Sequence, residues 1–200
     1  MSKIKICGLR RTEDIDYVNE FKPDYAGFIY VPGRTRNVDP ELGKMLRAEL
    51  DPHIKAVGVF INEDREKIAS YFDKGLFDII QLHGQEPEED VKWLRYRTGA
   101  QVIKAVSVKT SDDIRKWEES EADYLLLDNG NGGTGRTFDW KHICQMTKPY
   151  FMAGGINADN LSEALGYKPY GVDISGGVEK EGYKDRELIK KVIEIVRRQR

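Results

Sequence analysis

The hydrophobic pattern of this chain switches repeatedly between short apolar runs and longer stretches with a single apolar face. Eight runs read as strands: Ile4–Cys7, Tyr25–Tyr30, Ala56–Ile61, Asp78–Leu82, Val102–Val106, Asp123–Asp128, Pro149–Ala153 and Tyr170–Ser175. Successive runs lie about 20 to 30 residues apart, the spacing of βα units. Several, such as Tyr124–Leu127 and Val57–Ile61, are apolar almost throughout. A strand covered on both faces needs that composition, whereas a half-exposed antiparallel strand alternates.

Helix signals fill the gaps. Asp39-Pro40-Glu41 combines an N-cap acid, a proline at the first helical position and a second acid, and Leu42, Met45, Leu46 and Leu50 then share one face. Asn62 is expected to cap the third helix, Thr110 or Ser111 the fifth, Thr137 the sixth and Asn157 the seventh. The last helix is expected from about Lys184, with Leu188, Ile189, Val192, Ile195 and Val196 inward and a basic end, Arg197-Arg198-Gln199-Arg200, suited to the helix dipole. Eight βα units in 200 residues predict a closed (β/α)8 or TIM barrel, an α/β fold with right-handed crossovers, built as one domain over residues 1–200. An open doubly wound sheet is the alternative, but it usually carries a glycine-rich phosphate fingerprint after its first strand, and Cys7-Gly8-Leu9-Arg10 lacks it.

Composition narrows the partners. The chain is 40% hydrophobic and 33% charged with a net charge of −2, and its basic residues are spread out, which argues against nucleic acid or an anionic membrane. No apolar run approaches a membrane span, and the first strand leaves no room for a signal peptide ahead of it. Cys7 and Cys144 make no disulfide framework, which points to a reducing, cytoplasmic setting. The histidines His53, His83 and His142 are scattered and no close Cys/His set exists, so no metal site is expected. Gly132-Gly133-Thr134-Gly135 lacks the lysine and spacing of a phosphate-binding P-loop.

In a (β/α)8 barrel the chemistry gathers at the C-terminal ends of the strands. Here those ends carry Cys7, then Arg34 and Arg36 after the second run, Asn62 after the third, Gln81 and His83 on the fourth, and Asp128 on the sixth. Gly154-Gly155 follows the seventh run, and Asp173-Ile174-Ser175-Gly176-Gly177 closes the eighth. Glycines after the last two strands sit where such barrels often hold a phosphate. Each residue alone has a plainer reading, with Cys7 as core, Asp128 as a turn starter and His83 as a satisfied structural histidine. Cys144, at helical spacing within Trp140–Met146, reads as core.

Together these motifs resemble the phosphoribosylanthranilate isomerase family along the whole chain. The resemblance rests on Lys5-Ile6-Cys7-Gly8, Ala26-Gly27-Phe28, Val57-Gly58-Val59-Phe60 with Asn62, and Gln81-Leu82-His83-Gly84. It continues through Leu127-Asp128 with Gly132-Gly133-Thr134-Gly135 and Phe138-Asp139-Trp140, then Ala153-Gly154-Gly155-Ile156-Asn157 and Val172-Asp173-Ile174-Ser175 with Gly177-Val178-Glu179. It implies an Amadori rearrangement in tryptophan biosynthesis, without a cofactor, with Cys7 as general base and Asp128 as general acid. It further implies that Arg36 holds the anthranilate carboxylate, that Gln81, His83 and Asp173 contact the substrate, and that Gly154, Gly155, Gly176 and Gly177 bind its phosphate. Gly176 and Asn129 stand where the family usually has serine, and Arg34 where serine is common. The implied partner is a small phosphosugar, bound by a monomer or homodimer, and the loop Asn129–Arg136 is expected to close over it.

Overall fold

The computed structural model describes residues 2–130, 137–143 and 146–198. Eight parallel strands close into a barrel in sequence order, with the eighth hydrogen-bonded back to the first. They are β1 (Lys3–Cys7), β2 (Tyr25–Ile29), β3 (Lys55–Phe60), β4 (Ile79–Leu82), β5 (Gln101–Ser107), β6 (Tyr124–Asp128), β7 (Tyr150–Met152) and β8 (Gly171–Ile174). Every expected run is therefore a strand, with ends moved by a residue or two.

Alternation along each strand sorts the side chains into two cores. On β1, Ile4 and Ile6 face outward into the layer between barrel and helices, while Lys5 and Cys7 face inward. The interior is filled by Val57, Val59, Ile79, Ile103, Leu126 and Phe151, so the barrel is a packed core rather than a pore. At its base Tyr25, Tyr124 and Tyr170 ring Phe151, with centroids 5.5, 5.6 and 5.4 Å from it. Their hydroxyls meet at 2.9 Å (Tyr25 with Tyr170) and 3.4 Å (Tyr124 donating to Tyr170). Burial and the bond to Tyr170 push the Tyr124 phenol up to about 12. This tyrosine layer plugs the N-terminal end with large rings whose polar tips satisfy one another.

Seven helices wrap the barrel among the described residues: α1 (Thr12–Phe21), α2 (Pro40–Glu49), α3 (Arg65–Asp73), α4 (Glu88–Thr98), α5 (Ser111–Glu118), α6 (Leu161–Gly166) and α7 (Arg186–Arg198). The Asp39 carboxylate caps α2 by accepting from Leu42 N at 2.8 Å, and Thr110 caps α5 in a reciprocal box with Asp113. Two expected caps shift. Asp64, not Asn62, caps α3, because the Asn62 amide oxygen is already engaged by Gln85 N at 2.6 Å. Asn160, not Asn157, occupies the N-cap of α6, while the Asn157 amide oxygen accepts from Asp159 N in the preceding turn. Where a sixth α-helix was expected, the described residues form a single 3-10 turn, Trp140–His142, with Asp139 accepting from Lys141 N in place of a Thr137 cap. The expected closing loop lies mostly at 131–136 and the expected core cysteine at 144, both outside the described residues, as are 199 and 200. Among the described residues no helix is long and apolar enough to cross a membrane.

One element was not expected. After β8 a short antiparallel hairpin forms from β9 (Glu179–Lys180) and β10 (Tyr183–Lys184). Its two turn residues, Glu181 and Gly182, both take left-handed φ, at 52° and 78°, as a two-residue turn with the right twist requires. Lys184 thus belongs to the hairpin, and α7 starts two residues later than expected.

Candidate active site

The C-terminal mouth of the barrel holds a cavity of about 750 Å³. Its lining includes Cys7, Arg36, Gln81, His83, Asp128, Gly154, Gly155, Asp173, Gly176 and Gly177, so every residue singled out from the sequence opens onto one space.

Cys7 sits at the end of β1 beside Lys5, two positions back on the same inward face. The Lys5 ammonium is fully buried and paired with Asp173 on β8 at 2.9 Å. Burial alone would lower its pKa, but Asp173 and Cys7 more than offset that, and the lysine is held above its ordinary value. The Cys7 thiol goes up, because burial outweighs the downward pull of Lys5, its nearest cation, and of Lys184. Space for this pair comes from Gly27 on the neighbouring strand, where a Cβ would lie 2.8 Å from Cys7 Sγ and 3.1 Å from Lys5 Nζ.

On the far wall a hydrogen-bonded chain runs from β4 to β6. Gln81 Nε2 and His83 Nδ1 are 2.8 Å apart, and His83 Nε2 lies 3.1 Å from Asp128 Oδ2. The other carboxylate oxygen, Oδ1, accepts from Asn129 N at 2.6 Å. Gln81 Oε1 is buried without a partner among the described residues. Turning the amide over would aim that oxygen at Nδ1, so this one side chain can accompany either the neutral or the protonated imidazole. The Asp128 carboxylate is thus held by His83 on one oxygen and by the Asn129 backbone on the other.

Arg36, on the loop after β2, donates Nε to Glu179 Oε1 at 2.8 Å and Nη2 to Oε2 at 2.6 Å. Lys184 Nζ also donates to Glu179 Oε1, at 2.7 Å, and to the Ser175 carbonyl at 3.0 Å. Burial pushes the Lys184 ammonium down, with Glu179 pulling the other way. Because Nε and one hydrogen of Nη2 face Glu179, the arginine offers the cavity its other edge. Gly8 makes room for the arginine stem, since a Cβ there would sit 2.6 Å from Arg36 Cδ.

Two of the glycines after β7 and β8, Gly154 and Gly177, are required sterically. A Cβ on Gly154 would lie 2.6 Å from Asp128 Oδ1, and its φ is +74°. A Cβ on Gly177 would lie 2.0 Å from the Ile156 carbonyl oxygen. Bare backbone therefore lines this side of the cavity, the surface that a phosphate approaches most closely. Among the described residues no group of three or more His, Cys, Asp or Glu is placed to hold a metal ion.

Comparison with known proteins agrees with this geometry. A family model described as N-(5′-phosphoribosyl)anthranilate (PRA) isomerase matches residues 4–195. The N-(5′-phosphoribosyl)anthranilate isomerase of Clostridium acetobutylicum is 42% identical over 99% of both chains. This chain belongs to the N-(5′-phosphoribosyl)anthranilate isomerase family. Solved members of that family superpose closely. Phosphoribosyl anthranilate isomerase from Thermus thermophilus gives a TM-score of 0.91 at 30% identity, covering 99% of this chain and 100% of that one. A phosphoribosyl anthranilate isomerase in complex with reduced 1-(o-carboxyphenylamino)-1-deoxyribulose 5-phosphate gives 0.83 at 32% identity, covering 98% and 99%.

Three residues of the site in this isomerase-family chain escaped the sequence reading. Lys5 looked like the polar member of an ordinary alternating strand; its neighbour Cys7 was the available signal, since a residue two before an inward-facing one also faces inward. Glu179 and Lys184 depend on the hairpin, whose only local mark is Glu181-Gly182.

Proposed function

We propose that the chain, an isomerase of tryptophan biosynthesis, converts N-(5′-phosphoribosyl)anthranilate to the 1-deoxyribulose 5-phosphate aminoketose with Cys7 as base and Asp128 as acid. One observation carries the residue assignment: the thiol and the carboxylate line the same cavity, one on β1 and the other on β6, across the barrel mouth.

Asp128 delivers a proton to the furanose ring oxygen. The bond from that oxygen to C1′ breaks, and the anilino nitrogen lone pair forms an iminium. Cys7 removes the proton from C2′, and the electron pair moves in to neutralise the iminium. The resulting enolamine takes a proton at C1′ and releases one from the C2′ hydroxyl, giving the ketone. Gln81 orients His83 through Nδ1 and His83 Nε2 orients the Asp128 carboxylate, which regains a proton from solvent as Cys7 gives up the one it took. The Lys5 ammonium stabilises the sulfur as thiolate, and the passing iminium adds positive charge beside it. Burial, which opposes ionisation, makes the thiolate that does form a stronger base.

Arg36 holds the anthranilate carboxylate with the edge that Glu179 leaves free, through Nη1 and the second hydrogen of Nη2. Gly154, Gly155, Gly176 and Gly177 admit the phosphate, and Gly176 does so through its backbone alone. Asp173, anchored by Lys5, faces the sugar. No step calls for a cofactor. We also read residues 1–200 as one domain, because β8 closes on β1 and α7 packs back against α1.

Complementation tests this reading. The gene is expected to restore growth without tryptophan to an auxotroph lacking this isomerase, and not to rescue a strain lacking the analogous aminoaldose isomerase of histidine biosynthesis. Failure in the first strain, with soluble protein present, contradicts it.

A further inference from the structure

We infer that Arg34 is a second guanidinium for the aromatic carboxylate of the substrate, making the carboxylate end of this site a two-arginine one. The inference deepens the isomerase reading and rests on it.

Arg34 and Arg36 both line the mouth cavity, but their situations differ. Arg36 is spoken for by Glu179, which engages Nε and Nη2 together. Arg34 is exposed, and among the described residues its side chain makes no hydrogen bond or ion pair. A cation bonded to a carboxylate must share its field with an incoming anion, whereas an unpaired one offers its whole charge.

The backbone under Arg34 is fixed even though its side chain is free. Val31-Pro32-Gly33-Arg34 closes with Arg34 N donating to the Val31 carbonyl at 3.2 Å, and Gly33 takes a φ of +83° at the third position. Proline second and a left-handed glycine third is the signature of a type II turn. The Arg34 carbonyl then accepts from Asn37 N at 3.0 Å. One residue on, the Thr35 carbonyl accepts from Arg10 Nη1, and Arg10 Nη2 reaches the Gly182 carbonyl at 3.0 Å, tying the loop to the hairpin that carries Glu179. A long cationic side chain on an anchored base loses less freedom on binding than one on a loose loop.

Its surroundings select the ligand group. The apolar lining of the cavity beside this loop comes from Ile29, Val59 and Ile61, at the ends of β2 and β3. A flat aromatic ring lies on such a surface, and its carboxylate then faces the loop that follows β2. The glycine backbone suited to phosphate comes from the other strands, β7 and β8.

The test compares two inhibitors in the full-length enzyme: reduced 1-(o-carboxyphenylamino)-1-deoxyribulose 5-phosphate and the same molecule without its carboxylate. Arg34→Gln is expected to weaken the carboxylated inhibitor, and to raise KM for the substrate, by about five- to tenfold, the scale of one exposed charge-assisted contact. Arg34→Lys is expected to recover most of the loss, and the carboxylate-free inhibitor is expected to bind Arg34→Gln and wild type alike. An unchanged inhibition constant for the carboxylated compound overturns the proposal. Equal weakening of both compounds also overturns it, because that places Arg34 on the phosphate. A wild-type protein that neither turns over the substrate nor binds the reduced product sinks the isomerase reading itself, and is distinguished from both outcomes.

Discussion

Glu179 meets Arg36 edge to edge, with bonds of 2.8 and 2.6 Å, and so sets the plane in which the guanidinium faces the cavity. The carboxylate is itself shared with Lys184, whose ammonium is buried. A hairpin that the strand and helix pattern does not announce therefore orients a residue that the sequence motif does.

Glu179→Gln keeps the shape of this contact and removes its charge. We expect KM for the substrate to rise about tenfold and stability at neutral pH to fall by about 1–3 kcal/mol. Burial would raise the Glu179 pKa, but hydrogen bonding from Arg36 and the charge of Lys184 win, and the group is held below its ordinary value. A depressed acid stabilises the fold above its unfolded pKa, and that contribution is lost as pH falls through the folded value. Urea midpoints of wild type and variant should therefore differ at pH 7 and converge below about pH 4. A constant gap across that range contradicts the charge-based account.

Cys7 gives a second pH signature of opposite sense. Burial lifts its thiol above the ordinary range despite Lys5, so in the free enzyme the sulfur stays protonated through neutral pH. Iodoacetamide labelling of the Cys7 peptide, followed by mass spectrometry, should accelerate only as pH passes beyond the usual thiol value of about 8.5. The rise of kcat/KM should follow the same curve. A labelling midpoint near neutrality rules out burial as the dominant influence.

Gly154 packs the backbone after β7 against the Asp128 carboxylate on β6. Gly154→Ala puts a Cβ where Asp128 Oδ1 now sits and strains a left-handed residue at a cost of about 1–2 kcal/mol. The carboxylate must move off its 3.1 Å contact with His83, and kcat is expected to drop more than tenfold while the protein remains folded by circular dichroism. Turnover within twofold of wild type shows that the Asp128 position is not set by this contact.

The barrel was legible because strands buried on both faces spell themselves as apolar runs, and because chemistry at strand ends stands out against them. Asp128 and the paired glycines interrupt such runs where a core would not choose them, whereas Cys7 alone reads as core and stands out only by its place at a strand end. Helix caps were less legible, since Asn62 and Asp64 are equally good capping types and only tertiary contact with Gln85 N decides between them. The hairpin was missed because Glu181 takes a conformation more natural to Asn or Asp. Thr137 and the apolar spacing of Trp140–Met146 suggest a sixth helix, whereas the described residues there make one 3-10 turn. Lys5 was passed over because strand alternation alone does not say which face is the interior of a closed barrel.

The most direct measurement is single-substrate turnover of Cys7→Ser and Asp128→Asn, with fluorescence following the loss of phosphoribosylanthranilate. Each variant is expected to keep the wild-type fold and affinity for the reduced product while losing between about 10²- and 10⁴-fold in kcat. If either turns over within a few-fold of wild type, the thiol and carboxylate that face each other across the mouth are not the acid and base of this reaction.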